Sequence, residues 1–209
     1  MMKMNMTTTA RNKITYLWLF MLLLFCNSCY FPHYRSIAES SLYDIDFSQG
    51  KWFLNHVTVN GKAWNDLSTA TEETLSPCLN DSLYLSYGKR KAAYNVPILT
   101  EKNSKEQLTI LKATNSVDYV IQVVGNVLAN DIGGINLKPM KNAEESSASI
   151  TIQVYDANEG SLIYSHTTTG SIEVENNRDD VVFGKSAQTM LKKCLKKELK
   201  TFTKYGGCE

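Results

Sequence analysis

The spacing of apolar residues changes several times along the chain, and each change marks an element. Residues 14–25 form an almost unbroken apolar run, and residues 30–49 then mix Pro, Ser, Tyr and charge without a period. Such a stretch reads as a tether. Residues 52–59 are aromatic and β-branched and end at Asn60 and Gly61, which predicts a strand closed by a turn. Trp64, Leu67, Thr71, Leu75, Cys78 and Leu79 then recur at helical spacing, with Asn65, Asp66, Glu72 and Glu73 between them. Pro77 is expected to kink this helix or to open its last turn. Residues 83–87 read as a short strand or a helix tail, and residues 95–99, around Pro97, as extended chain. Asn103 or Ser104 caps a helix that runs to Asn115, with Gln107 completing a capping box on Ser104.

The second half carries the strongest β pattern. Residues 117–128 are nearly all apolar, as suits a strand covered on both faces. Residues 131–147 read as a polar loop. Ile150, Ile152 and Val154 then alternate with polar partners, residues 156–160 have turn composition, and residues 161–174 return as a second strand. From residue 181 one long amphipathic helix is expected. It gathers Ala187, Met190, Leu191, Cys194, Leu195, Leu199 and Phe202 on one face, and Lys192, Lys193, Lys196, Lys197, Lys200 and Lys204 on the other. The order predicts one α/β domain over residues 50–205: a mixed sheet with a C-terminal hairpin and helices packed on it.

The first apolar run changes the picture most. Lys3, Arg11 and Lys13 precede it without an acidic residue, and it is shorter than the ~20 residues a membrane-crossing helix needs. Ser28 followed by Cys29 resembles the lipobox cut by bacterial lipoprotein signal peptidase, although Cys26 stands where leucine is usual. Residues 1–28 are therefore read as a lipoprotein signal, Cys29 as the lipid-bearing first residue, and residues 29–49 as a lipidated tether. An ordinary cleaved signal or an uncleaved anchor is the competing reading. Removing residues 1–28 from the 209-residue chain leaves 181 residues. It also leaves 19 of the 22 basic residues against 21 acidic ones, a net charge of −2 that argues against nucleic acid as a partner. Cys78, Cys194 and Cys208 remain. One disulfide is permitted in an oxidising compartment, but no spacing demands it, and buried thiols are expected at Cys78 and Cys194. The absence of acidic residues just after Cys29 favours the periplasmic face of the outer membrane over the cell surface.

One resemblance follows from these elements. Residues 114–127, which include Asp118-Tyr119-Val120-Ile121 and Gly125, are similar to a characteristic strand of a periplasmic domain family. The family includes the N-terminal domain of the Tol-system propeller protein, the curli-secretion-channel lipoprotein and the lipoprotein activators of penicillin-binding proteins. Its strand, Asp-x-x-x-Gly turn and strand are matched by Asp156 to Gly160 and their flanks, and a closing helix follows in both. The long loop over residues 131–147 departs from the pattern. The resemblance implies a docking domain in envelope assembly without catalysis, and it transfers no site residue.

Candidate chemistry is sparse. The histidines are His33, His56 and His166; a hydrolase would need His56 or His166 within reach of a serine or cysteine. Ser165 and His166 are neighbours on a predicted strand and so point to opposite faces. No metal-ligand spacing occurs, and Glu173, Glu175, Asp179 and Asp180 read as partners of a helix start rather than a cation site. Gly133-Gly134 reads as a flexible turn. Lys89-Arg90-Lys91, with Tyr84, Tyr87 and Tyr94 around it, reads as an exposed loop, and Asp81-Ser82-Leu83 as a chance match to a glycosylation acceptor. The lysine face formed by Lys192, Lys193, Lys196, Lys197 and Lys200 is the candidate partner surface, against the simpler reading of a solvated helix face. No catalytic residue and no cofactor are expected. The expected function is non-catalytic docking of an envelope protein or self-association, on a membrane reached through lipid on Cys29. The alternative is a small-ligand or glycan-binding lipoprotein whose pocket is lined by Trp52, Trp64 and tyrosines.

Lipidation is directly testable. Globomycin should accumulate the unprocessed precursor, and Cys29→Ala should leave the chain uncleaved or release it from the membrane. Normal processing of that variant on an immunoblot would rule Cys29 out.

Overall fold

The computed structural model describes residues 31–39, 45–87, 105–130, 143–175 and 185–208. In chain order the elements are β1 (His33–Ala38), β2 (Trp52–Leu54), β3 (Thr58–Val59), β4 (Lys62–Ala63), α1 (Asn65–Leu79), β5 (Leu83–Leu85), α2 (Lys105–Asn115), β6 (Tyr119–Asn130), β7 (Ala143–Asp156), β8 (Ser161–Glu175) and α3 (Ala187–Tyr205). They build one eight-stranded sheet in the order β1-β8-β7-β6-β2-β5, with β3 also on β6 and β4 on β3. The β2–β5, β2–β6 and β3–β6 pairs are parallel and the rest antiparallel, so the sheet is mixed.

β6 lies inside the sheet, and its pattern follows from having two covered faces. Ile121 and Val123 point to the side where Ile150, Ile152, Val154 and Tyr164 meet α3 and α1. Val120 points the other way and packs with Phe53, Tyr155 and Val117 against Leu108 and Leu111 of α2. The β7–β8 hairpin turns at residues 156–160, where Asp156 accepts hydrogen bonds from the Asn158 and Glu159 amides and Gly160 takes φ +68°. Every apolar residue expected on the buried face of the last helix is buried in α3.

Several expectations need correction. The supposed tether is part of the fold: β1 pairs with β8 from His33 opposite Ser171 to Ala38 opposite His166. Ile45 and Phe47 enter the core, Phe47 meeting Trp52 and Phe202 edge-on at ring distances of 5.2 and 5.1 Å. The domain thus begins by residue 33, not residue 50. β1 is an edge strand whose side chains are mostly exposed, so it carries no alternation to read. Tyr34 is the one partly buried residue of the strand; its ring crosses Gly170 so closely that a Cβ there would lie 2.7 Å away. Residues 143–147, expected in a polar loop, open β7 opposite the end of β8; Glu145 and the two serines after it hid the strand. α3 starts at Ala187 rather than residue 181, with Ser186 Oγ accepting from the Thr189 amide at 3.4 Å. Residues 83–85 are a strand, and Pro77 sits in the last turn of α1. The expected extended segment 95–99, the cap at Asn103 or Ser104, and the polar break at residues 176–180 lie outside the described residues.

Cys78 is not a thiol. It is bonded to Cys208, 130 residues away, tying the end of α1 to the turn after α3. Cys194 is a buried free thiol, as expected, its pKa pushed up to about 11 by that burial. A bridge closing so long a loop removes much entropy from the unfolded chain, worth ~2–4 kcal/mol in practice. Replacing both cysteines, Cys78→Ser with Cys208→Ser, should lower stability by about that amount in urea unfolding. Equal midpoints for the variant and the oxidised wild type would mean that the bridge does not form.

Candidate functional site: the groove between α1 and α3

α1 and α3 lie side by side and run the same way. Asp66 at the start of α1 faces Lys192, while Cys78 at its end is bonded just beyond the end of α3. Between them is a groove of about 670 Å³. Its floor is Leu67, Ala70, Leu195 and Leu199; one rim carries Asp66 and Glu73, the other Lys192, Lys196 and Lys200. The three lysines are spaced at four-residue steps, which keeps them on one side of a helix. The ion pair across the rims, Lys192 Nζ to Asp66 Oδ2 at 4.0 Å, joins two exposed side chains and is screened by water. The rims therefore remain available to an incoming charge.

The five lysines expected to form one surface divide into two. Lys192, Lys196 and Lys200 border the groove. Lys193 and Lys197 do not line the groove, and Lys197 turns toward β1, where its Nζ lies 4.7 Å from the centre of the Tyr34 ring. Lys193 lies beside Lys185, whose neighbouring ammonium holds its pKa below the usual lysine range. Cys29 lies outside the described residues, as do Gly133-Gly134, Lys89-Arg90-Lys91, Asp179 and Asp180.

Sequence reasoning missed the buried acid beneath this helix. Glu198 is fully buried; its Oε1 lies 2.5 Å from His166 Nδ1, and its Oε2 accepts from Thr168 Oγ1 at 2.6 Å. Thr168 spends its one proton there, so the 2.8 Å contact between its Oγ1 and Ser36 Oγ must be donated by Ser36. The Tyr164 hydroxyl is buried beside the same carboxylate without a hydrogen bond of ordinary geometry. A polar chain thus runs from α3 through β8 to β1. Glu198 sits in a lysine-rich run and reads as a solvated ion-pair partner. Its spacing of four residues from both Cys194 and Phe202, on the buried stripe, was the available signal. Burial raises its pKa above the usual carboxylate range, opposed by the Thr168 and His166 contacts.

The other expected features fall as follows. Ser165 and His166 do face opposite ways, Ser165 Oγ donating to Glu39 Oε2 and His166 meeting Glu198. His166 therefore directs Nδ1 at a carboxylate, while His56 Nδ1 has no hydrogen-bond partner and its ring stacks on Tyr87 at 4.3 Å. Trp52 does not border the groove; it is fully buried and stacks on Tyr119 at 4.5 Å. Among the described residues no cluster of His, Cys, Asp or Glu could hold a metal ion.

No known sequence family matches the chain, and no curated protein matches it. Thirty-three chains of solved structures match by fold. They include the PelC dodecamer from Paraburkholderia phytofirmans, at 12% identity, 86% of this chain, 99% of that chain and TM-score 0.41. Another is E. coli LpoB, at 14% identity, 59% of this chain, 57% of that chain and TM-score 0.33. Lipoprotein GNA1162 from Neisseria meningitidis matches at 12% identity, 74% of this chain, 99% of that chain and TM-score 0.33. A bacterial lipoprotein is thus found among the structural neighbours. At these TM-scores the likenesses carry no functional assignment.

The buried acid has a consequence for pH. A carboxyl group that holds its proton more tightly when folded makes the folded state bind more protons than the unfolded one. Stability then falls as pH climbs from the unfolded value, about 4.3, through the raised folded value. Urea midpoints measured between pH 4 and 7 should fall for wild type relative to Glu198→Gln. Parallel curves would show that Glu198 does not titrate as described. Thr168→Val, which strips one donor from this carboxylate, should cost ~1–3 kcal/mol at neutral pH in the same assay.

Proposed function

We propose that the chain is an envelope lipoprotein, held through lipid on Cys29 at the periplasmic face of the outer membrane, which docks a protein partner without catalysis. The partner element is an amphipathic helix laid in the groove between α1 and α3. The observation that carries this reading is the groove itself: an apolar floor between an acidic rim and a lysine rim, braced by the Cys78–Cys208 bridge. A helix with apolar residues at helical spacing fills such a floor, and flanks of opposite sign fix its direction. No described helix is long and apolar enough to cross a membrane; attachment through acyl chains needs none. The finer details, outer-membrane residence and non-catalytic action, rest on the residues after Cys29 and on the resemblance of residues 114–164.

A second reading has its own support. About 670 Å³ lies within the range of small-ligand sites, and lysines above leucines suit an amphiphile with an anionic head. One experiment separates the two. A photo-reactive residue replacing Lys196 in cells should give a discrete protein adduct, distinct in mass from a dimer of the chain, whereas the same group at Lys62 should not. The double variant Lys196→Glu with Lys200→Glu should weaken capture about tenfold, a loss of ~1.4 kcal/mol. A homodimer band alone would make self-association the function. A small-molecule adduct would favour the second reading, and no adduct would remove the groove from consideration.

A further inference from the structure

Cys29 and His33, the first residue of β1, are four residues apart. An extended chain covers at most about 3.6 Å per residue, so this leash reaches no further than about 14 Å whatever path it takes. β1 is fixed in register, which puts the leash at one particular end of the sheet. His33 is opposite Ser171, Ser171 opposite Ser147, and Ser147 opposite Ala129 near the end of β6. α3 begins at the same end, where the Ala187 amide donates to Asn130 Oδ1 at 3.3 Å. The β7–β8 turn and the Cys78–Cys208 bridge lie at the other.

The surface at this end has a distinct character. Phe31 and Leu128, 72% and 64% exposed, are the two most exposed large apolar side chains among the described residues, and both lie here. Around them stand charges of both signs: Lys185 beside Lys193, and Glu145 opposite Glu173. Phe31, just before β1, and Leu128, on β6, are separated by β8 and β7, so they offer a bilayer two separate apolar contacts rather than one patch, and the short leash decides which end they serve. Because the rim is not of one sign, attraction to anionic headgroups is not required.

We infer that this end of the sheet, with Phe31 and Leu128 foremost, faces the lipid bilayer and is held within about 14 Å of it, so that α1 and α3 stand with their N-termini toward the membrane. The inference rests on acylation of Cys29. It makes the lipid surface the partner of one end of the domain, turns the opposite end away from the membrane, and sets the groove running along the membrane normal with its opening to the side.

The test uses the full lipidated protein in phosphatidylcholine vesicles containing a headgroup nitroxide lipid. A bimane fluorophore is placed on Leu128→Cys or on Asn158→Cys; β6 separates these levels by about nine residues, or ~30 Å. Quenching at position 128 should exceed that at position 158 at least threefold. Inserting twenty Gly and Ser residues after Tyr30 should remove the difference while the protein still floats with the vesicles. Equal or reversed quenching of a floating protein overturns the orientation and leaves the anchor standing. A difference that survives the insertion overturns the leash as its cause. Protein that does not float overturns the anchor, and the orientation with it.

Discussion

The sheet keeps its shape because α3 lies across β6, β7 and β8 and seals their inner face. Met190, Leu191, Leu195, Leu199 and Phe202 are buried there, and each such side chain contributes ~1.5–3 kcal/mol. Set into the same stripe is Glu198, whose burial costs several kcal/mol before its partners are counted. The apolar burial is the larger effect by a wide margin, so the acid is not what holds the helix down. Its effect is on placement. A leucine stripe can slide by a turn at modest cost, whereas a buried carboxylate must find His166 and Thr168. The helix thus has one register on the sheet, and Ser36 extends that register to β1.

That constraint explains which parts of the fold are legible in the chain. β6, the β7–β8 hairpin, α1 and α3 each bury a face with a regular period, and their apolar positions announce them. β1 buries little beyond Tyr34, so nothing in residues 33–38 alternates; the strand exists because β8 presents a free edge, a fact of topology rather than local pattern. The start of β7 is built from Glu145 and serines and resembles a loop in composition, although Ser146 and Ser147 are buried. The Cys78–Cys208 bridge joins residues brought together only when α1 and α3 run parallel. Glu198 is concealed by the lysines beside it. As for the site, all five lysines are exposed as their helical spacing implies. Their division between the groove and β1 depends on what α3 packs against, which the spacing of one helix does not contain.

The two rows of lysines therefore have different surroundings and different chemistry. Lys192, Lys196 and Lys200 overlook leucines and face carboxylates across the groove. Lys197 covers the Tyr34 ring in a cation–π contact, and Ser36, on the same face of β1, bonds Thr168, so both hold the edge strand from the α3 side. An edge strand so placed has its inner face fixed twice, and among the described residues no strand pairs with its outer edge. An open edge is a site of unwanted strand addition, and Arg35 together with the short length of β1 limits it.

The proposed anchoring and docking would both follow from one arrangement. A long flexible tether would let the domain sample many orientations, and a groove on it could be approached from any side. Here β1 occupies the residues that a tether would need, so the distance from Cys29 to folded structure is four residues. Because α1 and α3 run parallel from that end, acylation of Cys29 as proposed would set the groove between them along the membrane normal rather than across it. The Cys78–Cys208 bridge closes off relative sliding of the two helices at the far end, just where leverage from a bound partner would be greatest. A helix entering the groove would meet walls already in place, and the ordering cost that a looser domain would bear at binding is met during folding instead.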